Sequence, residues 1–237
     1  MKALIFSDLH ANNKQLQNLY DFVIKNKEID ILIFAGDVVN MGEPVWFMEK
    51  FIKVIEELKL PFLWVPGNND FGRAYYKLNS KHKSLEGRVV EIPFESSPPA
   101  RGGVRGGGSM TEDGIQKKFC DEGHLTRRFT GVGGSPASWA GQYEGESMID
   151  KKAIGNSIFI SHAPPPGILV LQQKDVSLPT SHKRFSDSPL VHICGHLHYR
   201  WGTAYLGQTK VIQLASLETG HYAILDLETL VVDFKRF

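Results

Sequence analysis

Five short apolar runs each stop at a cluster of polar, chemistry-bearing residues, and that pairing limits the folds open to this chain of 237 residues. Ala3–Phe6 leads to Asp8-Leu9-His10, Ile31–Ala35 to Gly36-Asp37, and Phe62–Val65 to Gly67-Asn68-Asn69-Asp70. Ile158–Ile160 leads to His162, and Leu190–Cys194 to Gly195-His196-Leu197-His198. Runs of this length and composition read as buried strands. In a sheet with helical crossovers, ligands collect beyond the strand ends, so clusters from both ends of the chain can meet at one rim. Their oxygen and imidazole donors are enough for two metal ions.

Between these strands the pattern is helical. Asn12 or Asn13 can cap a helix carrying Leu16, Leu19, Tyr20, Val23 and Ile24. A second helix is expected near 44–58 with Trp46, Phe47, Phe51, Val54, Ile55 and Leu58, and Pro44 suits its first turn. The resulting βαβαβ order predicts parallel strands with right-handed crossovers. The segment from about 96 to 123 has a different composition, with Pro98-Pro99, Arg101-Gly102-Gly103 and Arg105-Gly106-Gly107-Gly108, and no apolar period. It reads as a flexible excursion from the core, with phosphate capping or sequence-independent RNA contact through Arg101–Gly108 as alternatives. A short strand follows at Arg128–Gly134. After His198, four short β-rich runs with turns at Gly207-Gln208 and Glu228-Thr229 predict antiparallel strands closing a second sheet.

Bulk composition excludes some classes. A hydrophobic share of 42% and a charged share of 22% suit a globular domain and argue against disorder, and 237 residues can bury one full core. The net charge of +1 offers no broad field for nucleic acid, so substrate attraction must be local. No run approaches the roughly 18 apolar residues of a membrane span. Two cysteines, Cys120 and Cys194, are too few for a disulfide framework and fit a cytoplasmic enzyme, with Cys194 a small buried hydrophobe inside its strand. Oligomeric state has no signature here.

Taken singly, Asp-x-His and Gly-Asp are common in caps and turns. Two histidines flanking one residue after a buried strand have fewer structural uses. Together and in this order, the clusters resemble the calcineurin-like metallophosphoesterase superfamily, whose pattern is Asp-x-His, Gly-Asp, Gly-Asn-His-Asp/Glu, a lone His, and Gly-His-x-His. The match runs over almost the whole chain and implies one domain over 1–237. Its expected fold is α/β: a four-layer αββα sandwich of two mixed sheets flanked by helices, with the Gly-rich excursion near 96–123.

The resemblance implies one ion held by Asp8, His10 and His198, a second by Asn68, His162 and His196, and Asp37 bridging both. Mixed N/O donors suit Mn²⁺ first, with Fe, Zn²⁺, Ni²⁺ or Co²⁺ as alternatives to it. The implied activity is a hydrolase acting on a phosphate ester by in-line attack of a metal-bridging hydroxide. One position departs from the pattern: Asn69 stands where the family has His. That His is held to protonate or orient the departing oxygen, and Asn exchanges no proton near neutral pH. Family members lacking it tend towards phosphodiesters, so diesters are expected ahead of monoesters.

Asn69 and Asp70 are therefore the expected catalytic pair. Asn69 would orient a phosphate oxygen or ribose, and Asp70 would fix its loop or serve as a plain turn residue. Arg73 could contact phosphate or face solvent. His82, His124, His182, His192 and His221 fall outside the motifs and read as surface or core histidines. A phosphomonoesterase acting on a nucleotide or phosphoprotein is the alternative activity. A non-catalytic scaffold of the same fold is the alternative class.

Overall fold

The computed structural model describes residues 1–40, 45–70, 72–95, 124–133, 154–165 and 188–237. The expected excursion at 96–123, with its Arg-Gly-Gly repeats and Cys120, falls outside them, as do Pro44 and His182. In chain order the elements are β1 (Lys2–Phe6), α1 (Asn13–Lys25), β2 (Ile29–Phe34), α2 (Val45–Leu58), β3 (Phe62–Trp64), α3 (Arg73–Lys81) and β4 (Val89–Glu95). They continue with β5 (His124–Val132), β6 (Ser157–Ser161), β7 (Val191–Cys194), β8 (Gly202–Leu206), β9 (Thr209–Gln213), β10 (His221–Asp226) and β11 (Val232–Arg236).

These strands form two mixed sheets, ordered β11-β10-β1-β2-β3 and β4-β5-β6-β7-β9-β8. In the first, β1, β2 and β3 run parallel, as a βαβαβ unit requires. In the second, β5, β6, β7 and β9 run parallel. Pro93 sits in β4, an edge strand where a missing N–H costs least.

The alternation of side chains builds the layers. Leu4, Phe6, Leu32, Phe34 and Trp64 face one way from the first sheet and pack with Leu16, Leu19, Phe47, Phe51 and Leu78 of the helices. Ala3, Ile5, Ile31, Ile33 and Val65 face the other way and meet Phe129, Ile158, Ile160, Ile193 and Ile212 of the second sheet. On the outer face of the second sheet, Val132, Ile154 and Phe159 form a small cluster. The α-helices among the described residues cover the first sheet, and the expected fourth layer falls outside them. None of these helices is long and apolar enough to cross a membrane.

Local chemistry explains the elements. The Asn12 side chain accepts from Gln15 N–H at 3.1 Å and caps α1. Gly207, at φ +61°, opens the two-residue Gly207-Gln208 turn between β8 and β9. At the β10–β11 turn, Asp226 Oδ1 accepts from Glu228 N–H and Thr229 N–H at 2.9 and 2.8 Å. Arg127 of β5 donates to Leu227 O and Glu228 O at 2.6 and 3.0 Å, tying the two sheets together.

Two elements correct the sequence reading. The four tail strands do not all close the second sheet: only β8 and β9 join it, while β10 and β11 extend the first sheet beside β1. The reason is that β10 is apolar on both faces. Tyr222 and Ile224 pack towards the helices, and Ala223 and Leu225 pack between the sheets, which suits an interior strand. Helix α3 has no counterpart in the sequence reading, because it buries only Ala74 and Leu78 and so leaves a weak periodic signal.

The seam between the sheets should dominate stability. Ile160 is fully buried there, so Ile160→Ala is expected to cost about 2–5 kcal/mol by lost burial and an unfilled cavity. Urea unfolding should report a lower midpoint with an unchanged slope, and a cost below about 1 kcal/mol would contradict this packing.

Candidate metal centre

Beyond the end of β1 the chain does not continue as an ordinary turn. Asp8, His10 and Ala11 take φ of 55°, 48° and 55°, Asp37 takes 65° and His196 takes 69°. Non-glycine residues rarely adopt this left-handed region, and each such residue carries a conformational cost. Lacing between loops holds them there. Asp8 N–H donates to Gly36 O at 2.8 Å, Leu9 N–H to Asp37 O at 2.8 Å and Ala11 N–H to Val38 O at 2.9 Å.

Asp70 clamps the next loop. Its carboxylate is buried and accepts from the backbone N–H groups of Asp37 (2.7 Å), Val38 (2.8 Å), Val39 (3.3 Å) and Gly67 (3.1 Å). Two glycines allow the loops to close this tightly. Gly36 takes φ +95° and passes Gly67 with no room for a Cβ, and a Cβ on Gly67 would strike the Asp37 side chain.

The motif side chains from five strand ends then converge. His10 Nε2 lies 2.9 Å from His198 Nε2. Asp8 Oδ1 lies 3.7 Å from His10 Nε2, 3.5 Å from His198 Nε2 and 4.0 Å from His162 Nε2. Asp37 Oδ2 lies 3.3 Å from His162 Nε2 and 4.0 Å from His10 Nε2. His162 Nε2 is 2.9 Å from Asn68 Oδ1 and 3.2 Å from His196 Nδ1. All seven expected ligand residues are thus brought together.

The donor set fits divalent cations. Donors held about 2.1 Å from one tetrahedral cation stand roughly 3–3.5 Å apart, and the separations here, from 2.9 to 4.0 Å, bracket that spacing. Two groups, Asp8/His10/His198 and Asp8/Asp37/His162, each offer donor atoms that all lie within 4.8 Å of one another. Asp8 is common to both.

The neighbours of the donors point the same way. Asp8 Oδ2 accepts from His196 N–H at 2.9 Å, while Asp8 Oδ1 is buried without a hydrogen-bond partner. His162 Nδ1 lies 2.8 Å from Ala35 O. A carbonyl only accepts, so Nδ1 carries the proton and Nε2 turns its remaining valence to the cluster.

Charge is concentrated in this space. Burial alone would push the Asp8 carboxyl up, but His10, His198 and His162 hold it well below the usual carboxylate range. Burial lowers His162, yet the Asp37 and Asp8 carboxylates outweigh it and raise the ring to about 9. His10 is raised despite its burial by the same two carboxylates. His196 is lowered by burial and by the charge on His162. Asp70 is pushed up to about 6 by burial and by repulsion from Asp37.

Asn69 meets the cluster through Asp37. Its backbone N–H donates to Asp37 Oδ1 and its Nδ2 to Asp37 Oδ2, both at 2.8 Å. Several supporting residues carried no motif signal. Ser216 donates from Oγ to Asp8 O at 2.7 Å and from N–H to His198 O at 3.0 Å, and Gln213 donates to Gly195 O at 2.7 Å. His192 is buried against Phe159, with Nε2 2.7 Å from Ser161 Oγ. Arg73 is exposed. His82 packs on Phe62, and Cys194 is a buried free thiol whose ionisation burial suppresses.

A cation seated on this cluster must displace the His162 proton, so affinity should rise with pH up to about 9. Calorimetry of Mn²⁺ binding to metal-free protein at about pH 7, in buffers of different ionisation enthalpy, should reveal release of about one proton or more per chain. Buffer-independent heat would contradict it. Asp70→Ala strands four buried N–H groups, each costing about 1–3 kcal/mol. A markedly lower melting temperature and reduced metal stoichiometry are expected, and unchanged values would remove the clamp.

Comparison with known proteins shows the family and the fold. The family model described as calcineurin-like phosphoesterase matches residues 1–200. No curated protein matches the chain at a significant level. Among solved structures the chain is similar to TT1561 of Thermus thermophilus, at 15% identity and a TM-score of 0.62, over 99% of this chain and 98% of that one. A second crystal structure is 18% identical with a TM-score of 0.61, over 100% and 98%. A dimetal phosphatase from Danio rerio is 11% identical with a TM-score of 0.49, over 94% and 95%. At such identities the first two likenesses concern the fold alone.

Proposed function

The chain belongs to the calcineurin-like phosphoesterases, and on that premise we propose that it is a dinuclear metal-dependent phosphodiesterase. Asp8, His10 and His198 would hold one cation, Asn68, His162 and His196 the other, and Asp37 would be shared. Mn²⁺ is the first candidate for both positions, since hard and borderline donors are mixed. Bound there, such ions supply positive charge for a phosphate ester and acidity that makes water a nucleophile near neutral pH.

The observation that carries the diester reading is the engagement of Asn69. Its amide donates to Asp37 Oδ2 at 2.8 Å and holds that carboxylate in place. An amide has no proton to release to a departing oxygen. Esters whose leaving group departs without help are therefore favoured over alkyl monoesters. Asp70, with both oxygens occupied by backbone N–H groups, acts as a positioning residue for this loop. Cys194, a buried free thiol in a chain with only two cysteines, supports placement in a reducing, cytoplasmic setting.

The test compares wild type with Asn69→His after reconstitution with Mn²⁺, on bis(p-nitrophenyl) phosphate and on an alkyl phosphate monoester. Wild type should prefer the diester. A general acid contributes about 10²–10⁴, so the substitution should raise kcat/KM on the monoester at least about tenfold. An unchanged monoester rate would refute the missing-acid account.

A further inference from the structure

A hollow of about 270 Å³ lies outside the metal cluster, lined by Trp201, Ala215, His221 and Phe234 together with Lys235 and Arg236. It sits where β8 and β11 form the outer edges of the two sheets. The backbone ties two of its lining residues to the loops that carry Asp8 and His198. Trp201 is three residues past His198, at most about 11 Å of chain. Ala215 precedes Ser216, whose N–H donates to His198 O at 3.0 Å and whose Oγ donates to Asp8 O at 2.7 Å.

The walls are flat and aromatic. Trp201 packs on Phe234 with ring centroids 5.2 Å apart, and lies nearly parallel to His221 at 6.4 Å and 29°. Burial and the charge of Arg236 hold His221 below its ordinary value, which disfavours the charged ring. Trp201 nevertheless remains 56% exposed, so part of its ring is open to a ligand. Two cations complete the lining: Lys235 pairs with Asp233 at 2.7 Å, and Arg236 donates through Nε to Thr219 O at 3.1 Å. Pockets for whole small molecules begin near about 300 Å³. This hollow suits one ring system, with the remainder of the molecule outside it.

We propose that the hollow receives the nucleobase of an ester substrate whose phosphate lies over Asp8, Asp37 and His198, which makes the substrate class a nucleoside phosphodiester. The inference rests on the phosphoesterase reading above. Aromatic stacking binds a base through its π-face and tolerates any base. Arg236, whose Nε donates to the neutral Thr219 O, adds positive charge at the hollow, while that of Lys235 is offset by Asp233. The side chain contributing most is Trp201, as a substrate-binding residue.

Two arms test this. In the first, kcat/KM is measured for thymidine 5′-(p-nitrophenyl phosphate) and for methyl p-nitrophenyl phosphate, diesters with the same leaving group. Trp201→Ala should lower the ratio of the thymidine ester to the methyl ester at least about tenfold, through KM, and Trp201→Phe should restore most of it. An unchanged ratio would overturn the proposal. In the second, thymidine 5′-phosphate and ribose 5-phosphate are titrated into the protein by calorimetry. The nucleotide should bind at least about tenfold more tightly in wild type, with that margin lost in Trp201→Ala. Equal binding of the two would overturn the pocket. Absence of turnover on either diester with the binding margin intact would instead defeat the phosphoesterase reading.

Discussion

Two carboxylates share a space that almost no water reaches, and the rest of this molecule is arranged to hold them there. Asp8 and Asp37 are buried, and both lie within 4.0 Å of His162 Nε2. Unpaired charge in such an interior is strongly disfavoured, so the pair demands positive partners. His162 and His10, raised by those carboxylates, supply them as protons, and divalent cations would supply them better. The left-handed backbone at Asp8, His10, Asp37 and His196 has the same meaning. Each such residue costs on the order of 1–3 kcal/mol and persists only where its surroundings over-determine it.

Those surroundings are the two sheets. Parallel strands β1, β2 and β3 in one sheet and β6 and β7 in the other deliver their following loops to a common rim. Hydrophobic burial between the sheets fixes the distance across that rim, with Ile5 and Ile33 facing Ile160 and Ile193. At the rim, hydrogen bonds replace packing. Asp70 gathers the loops after β2 and β3, while Ser216 and Gln213 hold those after β1 and β7. The cluster therefore inherits its precision from backbone groups, and its chemistry from side chains.

That division explains what could be read in the sequence. Polar clusters after strands are visible in the sequence, the family resemblance singles out Asp8, His10, Asp37, Asn68, His162, His196 and His198 among them, and these side chains converge. Of the clamps, Asp70 is expected from the sequence to fix its loop and does so, whereas Ser216 and Gln213 carry no signal. Ser216 acts through ordinary backbone contacts, and nothing in Leu214-Ala215-Ser216 marks it out. For Asn69 the residue type announced a missing proton donor, but its hold on Asp37 needed geometry. The tail misled because β-rich runs with turn signals specify hairpins without specifying which sheet receives them. Only the two-faced apolar character of Tyr222–Leu225 points to an interior place beside β1.

The central claim is that these side chains grip a pair of cations. Anomalous diffraction from crystals grown with Mn²⁺ measures it most directly. The account predicts two peaks about 3.5–4 Å apart, with Asp37 between them and Asp8, His10 and His198 around one. A map with fewer than two peaks, or with no peak within bonding distance of Asp37, would contradict it.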